Sequence, residues 1–276
     1  MLLNEVKPSP FLSEFIRLYR IVDFHFPRDV SLPCKVYPPR PEHCLQFYPR
    51  DTETVEYTEK KVVVSNKKAT ILGQHTIVNN RFVGRDFLVF QVVFQPGALY
   101  RITCIPAAEL TNNYLDAEDI FGSATRLVNE QLFDANNYGE MIQIVELFLH
   151  RLTSKANKSQ HCVDVIGRKM TVQNERYCLN EFVKASCLSH RQFGRKFTER
   201  VGISPKQYLQ IIRFDKAFRM KNRYPDKDWL TVAVHCGYYD YQHLVKDYKE
   251  FTGYTPNEFL EIEGKAPERT FGEKEV

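Results

Sequence analysis

Two stretches of this sequence carry the side chains with most to offer another molecule. Ser189, His190, Arg191, Gln192 and Arg195 lie in the first; Tyr241, Gln242, His243, Lys246 and Lys249 lie in the second, about fifty residues later. Arg and Lys donate to guanine edges and phosphates, and Gln pairs with adenine edges. The chemistry implied is recognition of duplex DNA by hydrogen bonds. The same side chains on an ordinary helix would simply face water, so the case rests on the elements that position them.

Each stretch opens with a turn and a helix N-cap, Ser189 in one and Asp240 in the other. A short polar side chain there accepts a bond from an unpaired N–H of the first turn. Each continues with bulky residues four apart, Phe193 and Phe197, then Leu244 and Tyr248, which places both on one buried stripe. Leu179, Phe182 and Val183 lead into the first turn, and Leu230, Val232 and Ala233 into the second. Helix, short turn, and helix with a polar outer face is the helix-turn-helix design. A second echo follows: Gly202 and Gly253 fit left-handed helix ends, and Ser204-Pro205 and Thr255-Pro256 fit a cap and first position of the next helix. A pattern that repeats with its cap and apolar pair in register is a strong signal.

Residues 165–260 resemble the DNA-binding domain of the AraC/XylS family of bacterial transcription regulators. Ser204-Pro205-Lys206-Gln207-Tyr208 through Arg213-Phe214-Asp215-Lys216-Ala217 is similar to the helix that links its two units. Cys236-Gly237-Tyr238-Tyr239-Asp240 through Lys246-Asp247-Tyr248-Lys249 is similar to its second-unit signature. Two positions depart from the pattern: Val183 replaces the usual small Ala, and Gly194 stands where a longer base-reading side chain is common. The resemblance implies a cytoplasmic regulator that works on promoter DNA with RNA polymerase, with activation as the usual mode. Tyr37-Pro38-Pro39-Arg40-Pro41-Glu42-His43, Phe94-Gln95-Pro96-Gly97-Ala98 and Ile105-Pro106-Ala107-Ala108-Glu109-Leu110 look like an N-terminal domain of some such regulators. That half then implies effector sensing or homodimerisation, with no particular small-molecule ligand carried over.

Charge agrees with this division. Residues 161–260 hold 17 basic and 11 acidic side chains, an excess of six, while residues 1–160 hold 18 of each. The positive excess lies where phosphate attraction requires it. A length of 276 residues suits about two domains. No run of about 18 apolar residues is present, so neither a transmembrane helix nor membrane association is expected, and the first residues lack the pattern of a signal peptide. Seven scattered cysteines with no CxxC suit reduced thiols.

In the first half, Phe11, Phe15, Leu18 and Tyr19 fit either a short helix or an entry strand. Val62-Val63-Val64, Ala69-Thr70-Ile71-Leu72 and the apolar run Phe87–Phe94 read as strands, the last buried on both faces. Several strands without intervening helices suggest a small barrel or sandwich. From Ile105 the period becomes helical. Met141, Ile144, Val145, Phe148, Leu149 and Leu152 form an amphipathic stripe, open to a dimer interface or to packing on the β domain. The fold class is therefore α+β and multidomain: a β-barrel or sandwich-like domain with helices at its end, then an all-α double helix-turn-helix domain. The expected boundaries are 1–153, a linker at 154–163, the DNA-binding domain at 164–262, and a charged, disordered tail at 263–276.

Arg213, Lys216, Arg219, Lys221 and Arg223 on the linking helix fit either phosphate contacts or solvated charge. Tyr208, Ile211, Ile212, Phe214 and Phe218 are expected to pack against the two units. His43 and His75 lack the His-x-His spacing of a metal-binding barrel, so neither metal nor cofactor is expected. No Gly-rich phosphate loop or nucleophile elbow is present, and no catalysis is expected. Three classes compete: a sequence-specific regulator, a nucleic-acid-associated protein without sequence preference, and an enzyme housed in the β domain. The first accounts for the most residues.

Overall fold

The computed structural model describes residues 2–57, 61–156, 158–172 and 178–272. Among the described residues nine strands come first: β1 (Leu2–Val6), β2 (Ile16–His25), β3 (Lys35–Tyr37), β4 (Cys44–Phe47), β5 (Glu53–Tyr57), β6 (Val62–Val64), β7 (Ala69–Leu72), β8 (Asn79–Val83) and β9 (Asp86–Phe94). Two short helices follow, α1 (Ala98–Thr103) and α2 (Ala107–Leu110). Then come β10 (Tyr114–Asp116), α3 (Ala117–Phe121), α4 (Ala124–Asp134) and α5 (Tyr138–Ser154). Between Phe11 and Tyr19 the chain forms a single 3-10 turn at Leu12–Glu14 and then enters β2, so both features of that stretch are present.

Among the described residues the named strands pair antiparallel, giving a six-stranded sheet in the order β1-β2-β9-β4-β7-β10 and a four-stranded sheet in the order β3-β8-β5-β6, with one isolated parallel bridge between Asp51 and Phe87. Neither sheet closes on itself, so the sandwich alternative describes the domain and the closed barrel does not. β9 explains its own continuous apolar run. Leu88, Phe90, Val92 and Phe94 join the core under the helices, while Val93 packs with Val55 and Tyr57 of the smaller sheet. The Met141–Leu152 stripe of α5 packs on the larger sheet with Phe47, Phe90 and Val92, which assigns it to intramolecular packing. β10 has no signature in the sequence, because three residues between helical signals carry no alternation.

Among the described residues seven α-helices follow: α6 (Cys162–Val172), α7 (Leu179–Ala185), α8 (His190–Val201), α9 (Pro205–Arg223), α10 (Trp229–His235), α11 (Tyr241–Thr252) and α12 (Pro256–Glu263). Their core holds Phe193, Phe197, Tyr208, Ile211, Phe214, Phe218, Leu244 and Tyr248, as the four-residue spacings require. Leu230 is the exception in its group: it is 56% exposed, while Val232 and Ala233 are buried. The connection between α5 and α6 falls within the expected linker, of which Asn157 lies outside the described residues.

The expected disordered tail is corrected over residues 263–272. Glu263 ends α12, and Pro267–Phe271 forms a 3-10 turn with Phe271 packed on Phe24 and Phe26. Its acidic residues look solvated in the sequence, but Glu263 and Glu268 are buried against Lys35. Residues 273–276 lie outside the described residues.

Candidate nucleic-acid interface

The two reading helices are built alike. In α8 the Ser189 hydroxyl accepts from the Gln192 backbone N–H at 3.3 Å, and the Gln192 side-chain oxygen accepts from the Ser189 N–H at 3.1 Å. This reciprocal box satisfies two otherwise unpaired donors. It also engages one end of a side chain expected to read bases. In α11 Asp240 Oδ1 accepts from the backbone N–H of His243 at 2.9 Å, and the His243 ring lies 2.9 Å from the same oxygen. The His243 backbone N–H, then its ring, hold the Asp240 carboxyl below its ordinary value. Gly202 and Gly253 close the two helices with φ of 95° and 79°.

Behind each helix the apolar pair is buried: Phe193, Phe197, Leu244 and Tyr248 are at most 1% exposed. The outer faces carry His190, Arg191 and Arg195 on α8 and Gln242, Lys246 and Lys249 on α11, all exposed. Among the described residues Arg191, Arg195 and Lys246 have no ion pair, so their donors point to solvent unspent. Tyr241 differs, being half-buried against the helical core. A Cβ at Gly194 would meet nothing within 4 Å. No packing constraint therefore explains the glycine there.

α9 links the units through 19 residues, about 28 Å of helix. Its cations divide by role. Arg213 donates to Asp247 of α11 at 2.7 Å and lies over the Tyr238 ring at 4.1 Å. Arg219 pairs with Asp215 at 2.9 Å. Lys221 is buried and donates to the carbonyls of Pro225 and Lys227, closing the loop that leads to α10. These three hold structure together, whereas Arg223 stays exposed. Lys216 is half-buried, which lowers its pKa, and it lines a cleft of about 1160 Å³ with Leu209, Ile212, Met220 and Val234.

The β domain spends His43 and His75 on packing. His75 meets the Tyr57 hydroxyl at 3.0 Å and Asn79 at 3.2 Å. Burial pushes His43 down to about 4, with its ring beside the Val201 backbone at the end of α8. Sequence reasoning gave no sign of that contact, because residues 158 positions apart leave no local pattern. The same holds for the Tyr100 hydroxyl, which donates to Glu199 at 2.8 Å, and for Thr111, which donates to the Gly202 carbonyl at 3.0 Å.

Two helix-turn-helix units on one linking helix define a DNA-binding domain. Residues 182–262 match the family described as a helix-turn-helix domain, of the AraC type, and residues 4–116 match a domain of unknown function, DUF6597. The C-terminal part of the chain is thus an AraC-type helix-turn-helix domain, a DNA-binding domain of transcription regulators. No curated protein matches it. Similar solved structures include ToxT from Vibrio cholerae, at 10% identity over 88% of this chain and 98% of that one, with a TM-score of 0.49. They also include the DNA-binding domain of the global transcriptional factor AdpA in complex with a target DNA. It shares 22% identity over 38% of this chain and 95% of that one, with a TM-score of 0.35. Among the described residues no helix is long and apolar enough to cross a membrane.

Proposed function

We propose that this chain is a sequence-specific activator that sets α8 and α11 into successive major-groove turns of one asymmetric promoter site. The observation that carries the reading is the pair of capped helices whose apolar faces are buried and whose outer cations are unpaired. Successive turns lie about 34 Å apart, or roughly 10 base pairs, a spacing that suits two units joined by one helix. Ser189, His190, Arg191, Gln192 and Arg195 face the first block, and Gln242, His243, Lys246 and Lys249 the second. Tyr241 supports α11 from its half-buried position.

In this reading residues 1–153 form a controlling domain, 154–163 the linker and 164–262 the DNA-binding domain. The controlling domain acts on the reading units and on their contact with RNA polymerase, in the cytoplasm and without catalysis of its own. An effector acting there would act through the interface formed by His43, Tyr100 and Thr111.

The test is selection of sites by the purified full chain from a random duplex pool at near-physiological salt. Enrichment of two blocks about one helical turn apart supports the reading. Tight binding that is indifferent to sequence and set by salt alone would replace it with a nucleic-acid-associated protein.

A further inference from the structure

The chain beyond α12 returns to the N-terminal domain. Lys35 of β3 donates to both carboxylate oxygens of Glu263, at 2.7 and 2.9 Å, and to Glu268. All three side chains are at most 10% exposed. Arg269 donates to Asn222 near the end of α9 at 2.8 Å. The Phe271 ring then lies 5.0 Å from Phe26 and 5.8 Å from Phe24, on the small core that Tyr48, Val83 and Phe87 complete. Val36, next to Lys35, packs against the core of the helical domain. The matched helix-turn-helix family ends at residue 262, so these contacts begin where that domain stops.

The first unit is held at a different place. Glu199, Val201 and Gly202 at the end of α8 lean on Tyr100, His43 and Thr111. One β domain therefore grips both units at separate points.

We propose that residues 263–272 are a strap that latches the second unit to the N-terminal domain and so fixes α11 relative to α8. This rests on the reading of α8 and α11 as DNA-reading helices. Separating the strap from β3 exposes an ammonium, two carboxylates and an aromatic ring together. A buried charge that loses its partner is strongly unfavourable, so the strap opens as a unit. Latched, the second unit cannot follow a change in the phase of the DNA. One inserted base pair rotates the second block by about 35°.

The experiment compares the full chain with full-chain Phe271→Ala and Lys35→Met by amide hydrogen exchange and by binding to duplexes with one or two base pairs inserted between the selected blocks. Amides of α10, α11 and α12 should exchange roughly tenfold faster in both variants, with α7 and α8 unchanged. The wild-type chain should lose roughly tenfold in affinity on insertion, and the variants less than about threefold. Unchanged exchange overturns the latch. Faster exchange with unchanged spacing preference assigns the geometry to α9 alone and overturns the proposed role. If the wild-type chain selects no site, the DNA-reading proposal fails, and hydrogen exchange still decides whether the strap latches. If Lys35→Met does not fold, Phe271→Ala, at the half-buried far end of the strap, decides.

Discussion

The Arg200 guanidinium grips both carboxylate oxygens of Asp164, its Nε and one terminal nitrogen each donating at 2.6 Å. The pair joins α8 to α6, and both side chains are buried. The same guanidinium lies over the Tyr100 ring at 4.8 Å and donates to the Ser159 carbonyl at 3.1 Å. A Cβ at Gly97 would fall 2.0 Å from the Asp164 carboxylate, so that glycine, with φ of 79°, is what lets the N-terminal domain close on the pair.

Removing one partner leaves the other charge buried. Arg200→Ala or Asp164→Ala should each cost about 3–5 kcal/mol in denaturant unfolding of the full chain. Arg200→Lys should also destabilise, because an ammonium cannot reproduce the two-point grip. A loss below about 1 kcal/mol for either alanine variant would show the pair to be solvated.

The reading faces should behave in the opposite way. Arg195→Ala and Lys246→Ala should leave stability within about 0.5 kcal/mol, since neither side chain has an internal partner. Each should weaken binding to a selected site by ~1–3 kcal/mol with little loss on random duplex. Equal losses on both, with the salt slope reduced by about one, would make them phosphate contacts. Phe193→Ala, by contrast, should cost about 3–5 kcal/mol of stability.

Stability should fall in acid through His43. Burial holds its folded-state pKa at about 4, against 6.5 for the free side chain. Between these values the unfolded chain binds a proton that the folded chain refuses, so stability rises with pH across that window. The shift corresponds to about 3 kcal/mol. His43→Gln should flatten the pH dependence of the unfolding midpoint between pH 6.5 and 4. Glu42 acts in a lower window: burial raises its pKa, but Arg20, Arg17 and Arg40 outweigh that and hold it low. Its contribution is present above the ordinary carboxylate range and is lost as pH falls below it.

The two helix-ending glycines should separate by their surroundings. Gly253→Ala meets open space and carries only the cost of a left-handed backbone, roughly 1–2 kcal/mol. Gly202→Ala carries that cost as well, and its Cβ would also sit 2.7 Å from Thr111 Oγ1 and 2.9 Å from the Ala107 carbonyl. It should therefore be the more destabilising of the two and should speed exchange at the Thr111 contact. Equal losses would place the contact elsewhere.

Where chemistry is local, the sequence alone determined the outcome. The caps Ser189, Asp240, Ser204 and Thr255, the stripes Phe193–Phe197 and Leu244–Tyr248, and the left-handed Gly202 and Gly253 each act within one turn of helix. Their spacing is therefore enough to read them, and the exposed cations of the two reading faces follow from the same period. β9 was legible for a like reason, since a strand covered on both sides needs no alternation. Tertiary structure alone decided the rest. Arg213 and Lys221 look like solvated charge until Asp247, Pro225 and Lys227 come within reach. Glu263, Glu268 and Phe271 read as a loose acidic tail until Lys35 and the Phe24–Phe26 pair are brought against them. Lys35 and Glu263 are 228 residues apart, and a contact between such residues depends on the closure of the whole chain, which no local pattern records.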